Sequence, residues 1–77
     1  MPRVVINMKR TGENILSLRA EKGMSAQDLA VVLGFSTPHT IYRWQKGETL
    51  PSVDSLVVLS EIFEVSMNEI IAVDPVP

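Results

Sequence analysis

The stretch that decides the fold of this chain is Ser25–Gly47, which reads SAQDLAVVLGFSTPHTIYRWQKG. Its first part predicts a short helix, because Ser25 is a good N-cap and Asp28 can reach back to the start of the helix. Apolar residues follow at helical spacing. Gly34 predicts the end of this helix, since a glycine there can adopt the left-handed conformation that closes the final turn.

A second helix is predicted after the turn and ends at Gly47. Thr37 and Pro38 mark its start, because threonine accepts hydrogen bonds from free amides and proline fits the first helical position. At about 100° per residue, one side of the helix presents a polar stripe. The stripe contains His39, Tyr42, Arg43 and Lys46, and the opposite side contains Ile41, Trp44 and Gln45. We therefore expect one face to bind and the other, with Trp44, to join the core.

Donors, cations and a phenol are the groups that reach base edges and phosphates when a helix lies in the major groove of DNA. Two alternative roles have similar weight for Tyr42: its phenol contacts a phosphate, or it covers a groove between helices. His39 is expected to contact a base or a phosphate, and the alternative is a plain surface residue. The stripe thus favours nucleic acid as the ligand.

The composition indicates one small domain that is stabilised by packing alone. Among 77 residues there is no cysteine and one histidine, which excludes a disulfide framework and argues against a metal site. No apolar run approaches the roughly 20 residues that span a bilayer, and the N-terminal apolar part is too short for a signal peptide. We expect a cytoplasmic protein with no metal, cofactor, membrane association or small-molecule ligand.

The net charge of −2 hides an uneven distribution of charge along the chain. Residues 1–47 contain all seven cations and three acids, a net charge of +4, whereas residues 48–77 contain six acids and no cation. The first part favours a polyanion, and the acidic part is expected to face away or to limit nonspecific binding. The alternative is that both sets of charges are only solvated surface.

A helix is also predicted before the central stretch, from an N-cap at Thr11 to a stop at Gly23. One face of this helix contains Ile15, Leu18 and Lys22. Arg19 lies close to that face, so its guanidinium is expected to point at the polar helix rather than at bulk water. The preceding residues, 1–10, are an arm or a short strand; they are disordered, or touch phosphate, or pair with a second copy of the chain.

Two more helices are predicted after the loop at Pro51, which makes five in all. Ser52 caps the fourth helix, whose apolar stripe contains Leu56, Leu59, Ser60 and Phe63, widened by Val53 and Val57. Ser66 and Glu69 form a capping box for the fifth helix. Residues 73–77 contain two prolines, cannot continue a helix, and are expected to be frayed.

Several of these stretches, taken in order, resemble the Cro/C1-type helix-turn-helix family of bacterial and phage regulators, also called the xenobiotic-response-element family. They are LRAEKGMS (18–25), DLAVVLG (28–34), TIYRWQKG (40–47), LPS (50–52) and LVVLSEIFEVSMNEII (56–71). The resemblance covers about residues 12–72. It implies an all-α, compact five-helix bundle over 11–72, flanked by the arm and the frayed tail.

The resemblance also implies which residues contact DNA. The helix over about 38–46 enters the major groove, where His39 and Arg43 read bases. Thr37, Thr40 and Lys46 occupy positions that often touch phosphate. At the start of the preceding helix, Ser25 and Gln27 are further candidates, although Ala26 replaces a glutamine that commonly contacts phosphate.

Three other features depart from the family pattern. Phe35 and Ser36 occupy a turn that usually has one residue, so the angle between the two helices is open to change. Pro38 stands where a base-reading glutamine is common and has no donor to offer. Arg19 would meet Gln45, which makes a hydrogen bond where the family often has an ion pair with glutamate.

Two classes of function follow from these observations. The first is a sequence-specific transcriptional regulator, a repressor that binds a palindromic operator as a homodimer. The second is a protein-interaction module, antitoxin-like or an adaptor, with a vestigial DNA-binding face. An enzyme is not expected, because the chain has no nucleophile with a base, no suitably paired carboxylates and no metal-ligand cluster.

Overall fold

The computed structural model describes residues 3–76, and these contain the five predicted helices together with a short two-stranded antiparallel sheet. The chain is therefore mostly helical, as expected, with the sheet as an addition. In chain order, the elements are β1 (Arg3–Ile6), α1 (Met8–Glu21), α2 (Ala26–Leu33), α3 (His39–Gln45), α4 (Val53–Phe63), α5 (Met67–Ile70) and β2 (Val73–Val76).

The helix boundaries in the central stretch follow the local signals. The Asp28 amide donates to Ser25 Oγ at 3.0 Å, and the Ser25 amide donates to the Asp28 carboxylate at 2.9 Å, which is the predicted capping box. The Ser25 amide is the main cause of the lowered pKa of Asp28, followed by the Ser25 hydroxyl. This contribution to stability is complete above the ordinary pKa of 3.8 and is lost as the pH falls through the lowered value. Gly34 ends α2 at a φ of 80°.

The start of α1 differs from the prediction. The helix begins at Met8 rather than after Thr11, because Asn7 is its N-cap and accepts from the Arg10 amide at 2.9 Å. Thr11 is buried inside the first turns of the helix, where its hydroxyl accepts from the Ala72 amide at 2.9 Å. A residue type that favours caps is used here for a contact with the other end of the chain.

The prediction of a frayed tail is wrong for residues 73–76. These residues form β2, which pairs with β1 in a register that places Val4 opposite Pro75 and Val5 opposite Asp74. Prolines stop a helix, but a strand tolerates them where its own N–H is not needed. Residue 77 lies outside the described part of the chain. Of the alternatives left open for residues 1–10, the structure shows a short strand at Arg3–Ile6, and it pairs with this chain's own C-terminal strand.

The core lies between the helices and contains α1, α2, α3, α4 and α5 side chains. Its fully buried large members are Ile15, Leu29, Ile41, Leu59 and Ile70. Val53 and Val57 were expected beside them, but their side chains are 72% and 42% exposed. Val57 precedes Leu59 by two positions, about 200° around the helix, so it lies on the far side of α4.

Helices α1 and α3 approach each other most closely at Gly12, which is buried. A Cβ atom there would lie 2.8 Å from the carbonyl oxygen of Gln45 and closer still to that of Trp44. No side chain fits without moving the backbone of α3. The glycine therefore permits the seating of α1 against the C-terminal end of α3.

We predict that Gly12→Ala destabilises the protein by about 1–3 kcal/mol or more, because the added methyl group overpacks a contact between two backbones. Alanine at an ordinary helix position would instead stabilise by about 1 kcal/mol relative to glycine. Urea unfolding monitored by circular dichroism measures the change. Ser17→Ala, at an exposed position of α1, is the matched control, and equal stability of the Gly12 variant would contradict the contact.

Candidate nucleic-acid interface

Helix α3 presents a continuous polar surface on its exposed side. The side chains of His39, Tyr42 and Arg43 lie on this surface, and that of Tyr42 is 45% exposed. Lys46 is the C-cap rather than part of the helix, yet its φ of −84° and ψ of −8° continue the helical path. The structure therefore brings the four residues of the predicted stripe onto one face.

The start of α3 is looser than the sequence indicates. Pro38 is the N-cap, not the first helical residue, and Thr37 Oγ1 accepts from the His39 amide at a long 3.4 Å. Because this bond is weak, the Thr37 hydroxyl is little restrained. Thr37 and Thr40 are both exposed on this side of the protein.

The N-terminus of α2 contributes the remaining candidates, Ser25 and Gln27, which are both exposed. Ser25 Oγ accepts from the Asp28 amide, and the same hydroxyl helps to lower the pKa of Asp28, so this group is already used within the capping box. The amides of a first helical turn attract anions, although the Asp28 carboxylate in the same turn opposes this attraction. All eight predicted site residues are thus accessible.

The side of α3 opposite the stripe is firmly packed. Ile41 and Trp44 are 0% and 3% exposed, which confirms the assignment of Trp44 to the core. Phe35 contacts Trp44 edge-to-face, with ring centroids 5.9 Å apart. The extra turn residue therefore extends the core beneath α3.

Arg19 connects α1 to α3, as expected. Its Nε donates to Gln45 Oε1 at 2.8 Å, and its Nη1 donates to the Met24 carbonyl at 3.2 Å. Both contacts hold the guanidinium beneath α3. We conclude that Arg19 positions the stripe and is not a member of it.

Sequence reasoning missed a contact of Arg43 with an acid. Arg43 Nε lies 3.7 Å from Glu48 Oε2, with both side chains about half exposed. Gly47, at a φ of 76°, turns the chain back over the last turn of α3, and the Glu48 amide donates to the Arg43 carbonyl at 3.0 Å. A glycine with a positive φ after a helix predicts that the chain turns back toward the helix. It does not predict which side chains then come into contact.

The acidic part of the chain does not simply face away from the cations. Arg10 pairs with Asp74 at 2.8 Å and Lys22 with Glu64 at 3.1 Å. Both pairs are exposed and contribute little to stability.

Within residues 3–76, Lys46 has no such acidic partner, and the backbone of the exposed residue Lys9 lies against Gly47 beside it. Lys9 is a further cation near the stripe that sequence reasoning did not place.

Comparison with known proteins agrees with this arrangement. Residues 15–70 match the protein family described as helix-turn-helix. A protein of Pyrococcus furiosus, provisionally named as an HTH-type transcriptional regulatory protein, is 40% identical over 53 residues. These residues are 69% of this chain, and the chain spans only 16% of the length of that relative.

Solved structures share the fold at low sequence identity. The restriction-modification controller protein C.AhdI from Aeromonas hydrophila has a TM-score of 0.71 and 21% identity, over 82% of this chain and 94% of its own. Hydroxypropylphosphonic acid epoxidase from S. wedmorenis has a TM-score of 0.75 and 23% identity, over 84% of this chain and 34% of its own. A controller protein and part of an enzyme share this fold, so the fold alone does not assign a function. No helix of residues 3–76 is long and apolar enough to cross a membrane.

We predict that Trp44→Ala lowers the free energy of unfolding by about 3–5 kcal/mol, because it leaves a cavity beneath α3. That loss is a large fraction of the stability of a small domain. Thermal unfolding followed by circular dichroism measures it. Tyr42→Ala, on the exposed face of the same helix, is the control with little loss. A stable, folded Trp44 variant would contradict the packing of α3.

Proposed function

Because this chain belongs to the Cro/C1-type helix-turn-helix family, we propose that it is a sequence-specific DNA-binding regulator of transcription that reads the major groove with α3. The observation that carries this proposal is one exposed polar stripe on a helix whose opposite face is buried. Trp44, Ile41 and the Arg19–Gln45 hydrogen bond hold that helix in place. A firmly held helix presents its side chains to base edges in a fixed register.

The individual roles follow from position and chemistry. Arg43 lies in the middle of the stripe and is suited to the two acceptors of a guanine, and His39 lies near the start of the helix, where base edges are reached. Phosphate contacts suit the hydroxyls, the amide and the cation around it, which belong to Ser25, Gln27, Thr37, Thr40, Tyr42 and Lys46. Lys9 adds charge at the C-terminal end of α3.

We further propose that the protein binds a palindromic operator as a homodimer and represses by occupying a promoter. A single short helix reads only a few base pairs, and a second copy doubles the contacts on a two-fold site. The proposed function requires no cofactor and no catalytic step.

Arg43→Ala is expected to cost about 1–3 kcal/mol in binding and to relax the preference at one base pair of each half-site, because a bidentate base contact is lost. Selection of bound sequences from a random duplex pool, followed by affinity measurements, provides both readouts. Arg43→Lys is the matched control that keeps the charge but not the two-pronged geometry. Equal weakening on all sequences would assign Arg43 to phosphate instead.

Lys46 and its neighbours should make binding strongly dependent on salt. Each phosphate contact contributes about −0.9 to the slope of log K against log salt, so a dimer with two or three contacts per subunit is expected to show roughly −4 to −5. Lys46→Gln should reduce the magnitude by about one per subunit and leave the preferred sequence unchanged. Lys22→Gln, at the C-cap of α1, is the control. A flat slope without binding would favour the protein-interaction module.

Glu48 is expected to weaken DNA binding, since it holds the guanidinium of Arg43 in the free protein. Exposed ion pairs contribute about 0.2–1 kcal/mol, so Glu48→Gln should tighten binding by up to about fivefold at low salt. Fluorescence anisotropy with a labelled duplex measures this change. Glu61→Gln, on α4, alters the net charge equally and should have a smaller effect; equal effects would show that only net charge matters.

A further inference from the structure

The sheet formed by β1 and β2 has an apolar face that is open to solvent. Residues directly opposite each other share a face, which places Val4, Ile6, Val73 and Pro75 on one side. Their side chains are exposed, at 60%, 47% and 45% for the first three. The other side contains Asp74, which accepts hydrogen bonds from Asn7 and Arg10 of the α1 N-terminus. The open face carries no charge.

The two outer edges of this sheet differ in their ability to pair. The Asn7 amide donates to the Ala72 carbonyl at 2.8 Å, so alternation makes Val5 and Asp74 the next hydrogen-bonded pair. The backbone groups of Val4 and Ile6 therefore point away from β2. On the β2 edge, Pro75 occupies the equivalent outward position and has no N–H. In the described residues, only β1 presents a full set of outward donors and acceptors.

We propose that the free edge of β1 pairs with β1 of a second copy of this chain, which makes a four-stranded antiparallel sheet across the two-fold axis. This inference rests on the homodimer of the proposed function and assigns its interface. Antiparallel pairing of a strand with its own copy is self-complementary, as a two-fold interface requires. Centred on Val5, it places Val4 opposite Ile6 of the second copy and forms about four hydrogen bonds.

The charges are compatible with this arrangement. In the register centred on Val5, Arg3 stands opposite Asn7 of the second copy. The two Arg3 residues are then about 14 Å apart, beyond a Debye length at physiological salt. The apolar faces of both copies merge into one surface without like charges opposite each other. An acidic partner or DNA would gain nothing from this uncharged face.

The size of the interface predicts how strongly it holds. Pairing along a four-residue edge buries much less surface than the roughly 1,200–2,000 Å² that stable dimers bury. We therefore expect weak association of the free protein, which tightens when two half-sites on one duplex hold the copies close together.

Val4→Pro tests the interface through the backbone alone. It removes an outward N–H that the pairing with β2 does not use, and an edge strand tolerates proline there. Sedimentation of the whole chain over a range of concentrations should show the dimer dissociation constant rising roughly tenfold or more, since two edge hydrogen bonds are lost per dimer. Val4→Thr keeps the N–H and the branched shape, and should change it little. Circular dichroism and thermal unfolding confirm that both variants are folded.

Val5→Cys provides a second readout that does not depend on the proline variant. The chain has no cysteine, and across the two-fold axis the two Val5 residues form a non-hydrogen-bonded pair with Cα atoms about 4.5 Å apart, which suits a disulfide. Mild oxidation should link Val5→Cys chains much faster than Val73→Cys chains. Faster linking at Val73, or an unchanged dimer in Val4→Pro, would overturn the assignment.

Measurements of dimerisation without DNA and of binding to a duplex, taken together, separate this inference from the proposed function. A chain that stays monomeric at all concentrations, and binds two half-sites without cooperativity, would overturn the β1 interface and leave DNA binding intact. The same result would point to a different occupant of the edge, such as a strand of another protein. A third outcome is that the protein dimerises, that Val4→Pro abolishes the dimer, and that no duplex is bound. This outcome would support the β1 interface and count against the proposed function as a DNA-binding regulator.

Discussion

The close backbone contact at Gly12 is the constraint on which the rest of the structure depends. It lets α1 lie directly against the C-terminal end of α3, where a Cβ atom would meet the carbonyl oxygens of Trp44 and Gln45. The Arg19–Gln45 hydrogen bond then links the same two helices a short distance away. The direction of the polar stripe is consequently set by α1, a helix that contributes no residue to the stripe itself.

The neighbouring residue, Thr11, ties the two ends of the chain together. Its hydroxyl accepts from the Ala72 amide, while Asn14 donates to the Ile70 carbonyl at 3.0 Å. These bonds satisfy the backbone that follows α5 and guide it into β2. Helix α1 thus contacts α3 on one side and the β1–β2 sheet on the other, so one helix connects the proposed DNA-binding surface with the proposed dimer interface.

Acidic side chains partly neutralise the cations around the proposed interface. Arg43, the proposed base reader, lies beside Glu48 in the free protein, and the exposed Arg10 and Lys22 also have acidic partners. These partners reduce nonspecific attraction to a polyanion, and in the proposed complex a base would replace Glu48 beside Arg43. Such a requirement favours discrimination between sequences over raw affinity.

Local signals along the chain were enough to predict the elements whose caps and periodicity act within a few residues. The Ser25–Asp28 capping box, the stop at Gly34 and the buried side of α3 at Trp44 were all predictable, and so was the stripe, because helical periodicity sorts side chains by face. The folded chain was needed to show three further features: the use of Thr11 and Gly12, the strand at Val73–Val76, and the contact of Arg43 with Glu48. Those outcomes depend on which backbone segments meet in space, and partners 61 positions apart, such as Thr11 and Ala72, leave no periodic trace in the sequence.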